Sequence, residues 1–315
     1  MQVYSLIDQN IHACNCSDSK VHTSAATANV ARSQGANASA TSNQKAAQPC
    51  PCSVALIGAG AMGSSIASAL LDSQVIQPHN LAIADINASA LDVFEQRGAH
   101  VYTNASDMLA SSYDCVIVAI KPQVLTQVIS PLEPALAHKL VVSIAAGVSL
   151  DTLSKLLPQA RLVRVMPNIC VKSLSGACAV CPATSATHED AALVHNMFSA
   201  FGCAYLMNEQ QLDVAGVISG CGPAFFALMI DAVVRSGVEW GIPAHVCRDL
   251  ALYTMQGTAR QLLDEHIHPR QFMERVTSPA GTTAQGLRFM EGGLMDAVSC
   301  GVDAAMKKTY QLKEH

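Results

Sequence analysis

The chemistry legible in this chain begins at Gly58-Ala59-Gly60-Ala61-Met62-Gly63, where an apolar run from Val54 to Ile57 meets three glycines at the spacing of a phosphate-binding turn. In such a turn the first glycine permits the sharp bend and the second lets backbone amides reach a pyrophosphate. The third lets the following helix pack closely on the strand, and that helix's N-terminus supplies the positive end. Ser64 to Leu71 continues at helical spacing, and a second apolar run, Leu81 to Ala84, ends in Asp85, where an acidic side chain reads the ribose hydroxyls of a dinucleotide. Three further apolar runs end in Ala119-Ile120-Lys121-Pro122, Ser143-Ile144-Ala145-Ala146-Gly147 and Arg164-Val165-Met166-Pro167-Asn168. Pro122 can open a helix without losing a hydrogen bond. The small residues at 143–147 would let a nicotinamide or ribose approach the backbone. Lys121 is either a solvated loop lysine or a group facing the cofactor.

Two later motifs lie in helical surroundings. Ser219-Gly220-Cys221-Gly222-Pro223-Ala224-Phe225 interrupts a helical pattern, as a helix break or as a close approach of backbone to substrate. Val276-Thr277-Ser278-Pro279-Ala280-Gly281-Thr282-Thr283 precedes the periodic helix of Leu287, Met290 and Leu294. Thr282 or Thr283 is expected as its N-cap, with the amides of Gly281 to Thr283 turned outward. That arrangement suits a small carboxylate, and a plain helix cap accounts for the threonines as well.

Positioning these motifs requires strands at 53–58, 81–85, 99–102, 114–120, 139–145 and 160–165, with one or two more at a sheet edge over 174–182. Strand and helix in alternation imply a mainly parallel sheet covered on both faces, with right-handed crossovers and a cofactor across the carboxyl ends of the strands. Helices are expected at 189–201, 210–240, 244–264, 268–276 and 283–312. The fold class is therefore α/β: a Rossmann-type dinucleotide-binding domain over 53–187, then an all-helical domain over 188–315. Residues 1–52, rich in Ala, Ser, Asn and Gln, have no sustained apolar period and read as a disordered, low-complexity extension.

At 315 residues and 50% hydrophobic content the chain can bury two cores, and with 4% aromatics those cores are aliphatic. A net charge of −5 with both signs scattered excludes the basic stripe of a nucleic-acid surface, so small molecules are the expected partners. No uninterrupted apolar run reaches the ~18 residues of a membrane span, and no basic-then-apolar leader opens the chain, so no membrane partner is expected and the cytoplasm is the default address. Of the twelve cysteines, Cys115, Cys203 and Cys247 fit apolar core positions. Cys14/Cys16, Cys50/Cys52 and the C-x-x-C of Cys178/Cys181 lack partners at finger-like spacing, so no metal is expected. None of the eleven histidines sits in a catalytic constellation.

In order, G-A-G-A-M-G, A-I-K-P, S-I-A-A-G, R-V-M-P-N, S-G-C-G-P-A-F and V-T-S-P-A-G-T-T resemble the motifs of pyrroline-5-carboxylate reductase, over residues 53 to about 312. The resemblance implies hydride transfer from NADPH or NADH to the C=N carbon of 1-pyrroline-5-carboxylate, giving L-proline. It also implies a homodimer or ring of dimers with interlocked helical domains and an active site between two chains. It makes Thr283 the catalytic hydroxyl at the ring nitrogen, Gly281 and Thr282 the amides for the substrate carboxylate, and Glu209 a substrate-side acid. Lys121 with Ala119, Ile120 and Pro122, and Ala145, Ala146 and Gly147, would line the nicotinamide pocket. Asn104 would approach the adenosine ribose, and Gly58, Ala59, Gly60, Ala61, Met62, Gly63 and Asp85 would hold the rest of the dinucleotide. Ala61, Ile169-Cys170, Cys221 and Ala280 depart from the family pattern. Ala280 matters most, because an alanine forced to φ > 0 is strained by about 1 kcal/mol or more.

Asp85-Ile86-Asn87 lacks an Arg or Ser to receive a 2′-phosphate, so NADH is expected to serve at least as well as NADPH. The rival readings are a two-domain dehydrogenase of the β-hydroxyacid type and a non-catalytic dinucleotide sensor. The first is disfavoured because the 215–260 region offers no Lys-x-x-x-Asn or Gly-x-x-x-Asn for acid–base work. The paired threonines and the full set of strand-end motifs argue against the second.

Overall fold

A computed structural model describes residues 52–313. The expected extension at 1–52, with Cys14, Cys16 and Cys50, falls outside the described residues except for Cys52. Eight strands form one sheet: β1 (Val54–Ile57), β2 (Leu81–Ala84), β3 (His100–Tyr102), β4 (Cys115–Val118), β5 (Leu140–Ser143), β6 (Arg161–Met166), β7 (Gly176–Pro182) and β8 (Gly202–Leu206). Their spatial order is β3-β2-β1-β4-β5-β6-β7-β8. The first six are mutually parallel; β7 runs antiparallel to β6, and β8 parallel to β7. Every residue of β1, β2, β4 and β5 is buried, which explains why VALI, LAIA, CVIV and LVVS are unbroken apolar runs without alternation.

Helices cover both faces. On one, α1 (Ala61–Asp72) and α2 (Asp92–Glu95) bury Ile66, Leu70 and Phe94 against the sheet. On the other, α3 (Ala105–Leu109), α4 (Pro122–Ile129), α5 (Glu133–Leu136) and α6 (Leu150–Leu156) bury Met108, Leu125, Ile129, Leu136 and Leu153. The strand order reverses at β1, between β2 and β4, so a crevice opens at the carboxyl end of β1, directly above the glycine turn.

The expected boundary at 187/188 falls inside this sheet layer. Helix α7 (His188–Ser199) buries Val194, Met197 and Phe198 in the same core as α1, with Phe198 edge-to-face on Phe201 at 5.3 Å. Arg161 on β6 pairs with the buried Asp190 of α7 at 2.8 Å, and the chain then returns as β8 to pair with β7. Strand β8 escapes the apolar signature because it is an edge strand with only Ala204 buried; Cys203, expected in a core, is exposed there.

From Glu209 onward the structure is helical. Helix α8 (Glu209–Ala215), a π-helical turn (Gly216–Cys221) and α9 (Gly222–Glu239) follow one another without a break, so Ser219 to Phe225 does not interrupt the helix. Pro223 lies inside this continuous helix and has no N–H to give the Ser219 carbonyl four residues back; that carbonyl accepts from the Asn168 side chain at 3.1 Å. The stretch Glu209–Glu239 is long and apolar enough to cross a bilayer by length and composition alone, although its longest unbroken apolar run is Ala224 to Ile230. Helices α10 (Ala244–Glu265), α11 (Pro269–Arg275) and α12 (Thr282–Lys313) complete the chain. Gly237 lets α10 come so near α9 that a Cβ there would lie 2.6 Å from the Cys247 sulfur. Yet α9 buries only Gly222, α10 only Cys247 and α11 no residue, while Trp240 is 88% and Phe289 85% exposed.

Phe198→Ala is expected to lower unfolding free energy by about 3–5 kcal/mol in urea titration, as a large buried aromatic should. A loss below about 1 kcal/mol would detach α7 from the sheet core.

Candidate active site

The glycine turn is built by contact. Gly58 holds φ +102° with the Ala119 carbonyl oxygen 2.6 Å from where a Cβ would stand, and a Cβ on Gly63 would lie 1.9 Å from the Gly58 oxygen. These two glycines are required by the protein's own packing. Gly60 is not: a Cβ there would meet no atom within 4 Å, so the bare backbone before α1 faces open space of the kind a pyrophosphate fills. Ala61, Met62 and Gly63 form the first turn of α1 behind it.

Asp85 faces the same turn. One carboxylate oxygen accepts the Ala59 N–H at 2.6 Å and the other accepts the Asn87 N–H at 2.8 Å. Each oxygen keeps capacity for a ribose hydroxyl, but the first duty of Asp85 is to fasten the turn. Asn104 caps α3 by accepting the Ser106 N–H at 2.9 Å and is otherwise exposed. Across the crevice, Ala119 and Ile120 pack against Gly58, and Lys121 is an exposed residue preceding Pro122 at the start of α4. The next loop leaves β5 at the buried Ser143, whose hydroxyl accepts the Ala145 N–H at 3.3 Å. It passes through exposed Ala146 and through Gly147 at φ 77°. Turn, Asp85 and the strand-end loops therefore converge on one edge of the sheet.

Glu209, expected as a substrate-side acid, already has one oxygen engaged within the chain. Its Oε1 turns inward, accepting Arg164 Nη1 at 2.8 Å and the Leu150 N–H at 2.7 Å, while Arg164 Nη2 reaches Asp213 at 3.2 Å. Arg164 is 2% exposed. Asn168, also buried, donates to the Ser219 carbonyl and accepts the Ala177 N–H, both at 3.1 Å, tying the end of β6 to the π turn. The sequence holds the signal for the ionic cluster: Glu209 and Asp213 stand one helical turn apart beside an arginine that interrupts an apolar strand.

The C-terminal motif departs from expectation by one position. Helix α12 begins at Thr282, so both threonines lie inside its first turn and Gly281 takes the cap position, its carbonyl accepting the Gln285 N–H. The Gly281 N–H is bonded to the Ser278 carbonyl at 3.0 Å and is not turned outward. Helix geometry leaves the amides of Thr282, Thr283 and Ala284 without intrahelical acceptors, and both threonine side chains are exposed. Ala280 adopts φ 56°, the left-handed conformation its sequence position put at issue. Helix α12 packs on α8 and on the π turn.

A hollow of about 670 Å³ lies between β7–β8 and α8, lined by Cys178, Tyr205, Val214 and Ile218. It is apolar and carries none of the strand-end motifs, so the chemistry is assigned to the sheet edge despite its size. Cys178 and Cys181 belong to opposite faces of β7 and do not pair; burial pushes the Cys178 thiol up to about 12 and raises Cys181 too, which keeps both protonated and unreactive.

Gly63→Ala is expected to weaken NADH binding at least about tenfold in a fluorescence titration, since its methyl must displace the Gly58 carbonyl. An unchanged dissociation constant would place the nucleotide elsewhere.

Residues 209–312 match the family described as pyrroline-5-carboxylate reductase dimerisation, and residues 53–147 the family described as NADP oxidoreductase coenzyme F420-dependent. The chain is 35% identical to pyrroline-5-carboxylate reductase of Arabidopsis thaliana over 264 residues, 83% of this chain and 95% of the relative. It is 36% identical to that of Methanosarcina acetivorans, over 82% and 97%. Among solved structures, pyrroline-5-carboxylate reductase from Coxiella burnetii superposes with a TM-score of 0.79 at 27% identity, covering 83% of this chain and 98% of that one. Pyrroline carboxylate reductase from Plasmodium falciparum, with NADP bound, gives 0.74 at 25%, covering 84% and 100%. With a glycine turn, strand-end loops and a C-terminal threonine pair in the arrangement described, the chain belongs to the pyrroline-5-carboxylate reductase family.

Proposed function

We propose that this protein reduces 1-pyrroline-5-carboxylate to L-proline with NAD(P)H. The observation that carries the reading is the pairing, in one chain of this family, of a backbone cradle open at Gly60 with the unengaged amides and hydroxyls that start α12. When bound, the coenzyme supplies a hydride to the imine carbon. A protonated cyclic imine is already electrophilic, so the protein's task is orientation and charge placement. The Thr283 hydroxyl steers the ring nitrogen. The amides of Thr282 and Thr283 hold the carboxylate, in place of the Gly281 amide that the Ser278 carbonyl occupies. Gly58 to Gly63 and Asp85 hold the pyrophosphate and ribose, Asn104 lies toward the adenosine side, and Ala119 to Pro122 with Ala145 to Gly147 flank the nicotinamide.

The apolar helices from Glu209 to Lys313 are covered by a second copy of the chain. The bilayer-length helix Glu209–Glu239 is thus an interface element of a cytoplasmic enzyme. The active site lies between the two copies, and dimers assemble into a ring.

Coenzyme choice follows from charge. The stretches 58–64, 85–92 and 102–108 contain Asp85, Asp92 and Asp107 and no Lys or Arg, so a 2′-phosphate would meet carboxylates without a cation.

Purified protein mixed with 1-pyrroline-5-carboxylate and NADH should consume the reduced nicotinamide and form proline; no turnover with either coenzyme would refute the assignment. Thr283→Ala is expected to lower kcat by about tenfold or more while leaving NADH affinity near wild type, and unchanged turnover would remove that role. The ratio of kcat/KM for NADH to that for NADPH is expected at or above unity. A preference for NADPH of more than about tenfold would reject the charge argument.

A further inference from the structure

We propose that Glu209 is a positioning residue. Through one oxygen atom it fixes the nicotinamide-side loop to the helical half of the protein; its role in turnover rests on the reductase reading above. Arg164 rises from β6 into the interior, where its side chain is 3% exposed, and meets carboxylates from two successive turns of α8. Asp213, 4% exposed, alone neutralises the guanidinium, and a buried arginine needs one such partner to be tolerated. Glu209, at 30% exposure, is therefore not needed for charge balance. What it adds is a backbone link, because Oε1 also accepts the Leu150 N–H.

Leu150 is the first residue of α6, where helix geometry provides no intrahelical acceptor for its amide. It also ends the loop that leaves β5 at Ser143. The front of that loop is pinned by the buried Ser143 hydroxyl on the Ala145 N–H, and the back by Glu209. Between the two pins lie Ala146 and Gly147, the residues assigned to the nicotinamide side. Helix α8 carries the second half of the linkage, since α12 packs on α8 and the π turn, and α12 begins with Thr282 and Thr283. The Arg164–Glu209 pair thus sets the separation between the loop on the coenzyme side and the support of the substrate helix. Asn168 reinforces it one turn on, through its bond to the Ser219 carbonyl.

Two readouts test this, and the first needs neither substrate nor coenzyme. In the ligand-free wild type, hydrogen exchange is expected to show the Leu150 amide protected despite its position at a helix start, and segment 145–150 of Glu209→Ala is expected to exchange at least about tenfold faster. The second is steady-state kinetics. Glu209→Ala should lower kcat by about tenfold or more with the KM for coenzyme changed less than about threefold, and Glu209→Gln, whose amide oxygen can still accept the Leu150 N–H, should recover most of both losses. An unprotected Leu150 amide in the wild type overturns the proposal even if Glu209→Ala does not fold. Unaltered exchange or unaltered kcat in Glu209→Ala overturns it too, as does Glu209→Gln behaving like Glu209→Ala. If the wild type turns over no 1-pyrroline-5-carboxylate, the exchange measurements still decide the linkage while the reductase reading fails separately.

Discussion

The constraint that shapes this molecule is that its C-terminal helices cannot cover their own apolar surface. Two long helices, α9 and α10, contribute one buried residue each, and large side chains such as Phe226, Leu228, Trp240, Tyr253, Leu263 and Phe289 lie in the open. Apolar area on this scale is not left in water; at about 25 cal/mol per Å² its burial drives association. With the substrate groups at the head of α12, as proposed above, assembly is coupled to chemistry. The element that carries the threonines is held in shape by an interface.

Against that exposed arrangement the nucleotide half is over-determined. The sheet is clad on both faces, the glycine turn leaves no room for a Cβ at Gly58 or Gly63, and Asp85 bonds the turn from the neighbouring strand. The helical half meets this body through α8, where Leu212 packs on Ala179 and Cys181 and where Arg164 and Asn168 reach across. Since no buried side-chain polar atom among the described residues lacks a hydrogen-bond partner, this charged seam is satisfied internally and tolerates little rearrangement.

The nucleotide half was legible in the sequence for a physical reason: strands buried on both faces are short, unbroken apolar runs punctuated by glycine, and β1, β2, β4, β5 and β6 fall where those runs lie. The edge strand β3 also falls within the expected 99–102, whereas the opposite edge gave no such signal. Strand β8 shows solvent four residues in five, and α7 is recognised as part of the sheet layer only once Val194 and Phe198 are seen in its core. The site proposed above was legible by type and less so by atom. Thr283 and the glycines are marked by their motifs, but which amide at 281–283 is already bonded depends on a turn closed by Ser278, and which way Glu209 faces depends on Arg164, forty-five residues earlier. A π turn, lastly, looks like a break when only glycine and proline are counted.

Ala280 carries a consequence of its own. Held at φ 56° between Pro279 and Gly281, it makes the bend before α12 with a residue that prefers negative φ. Glycine would reach the same geometry without strain, at the expense of many alternatives in the unbound loop. The alanine sits in that bend against its own stereochemical preference, at a cost of about 1 kcal/mol or more, so the shape of the turn is imposed by the packing that flanks it and not by the residue that makes it.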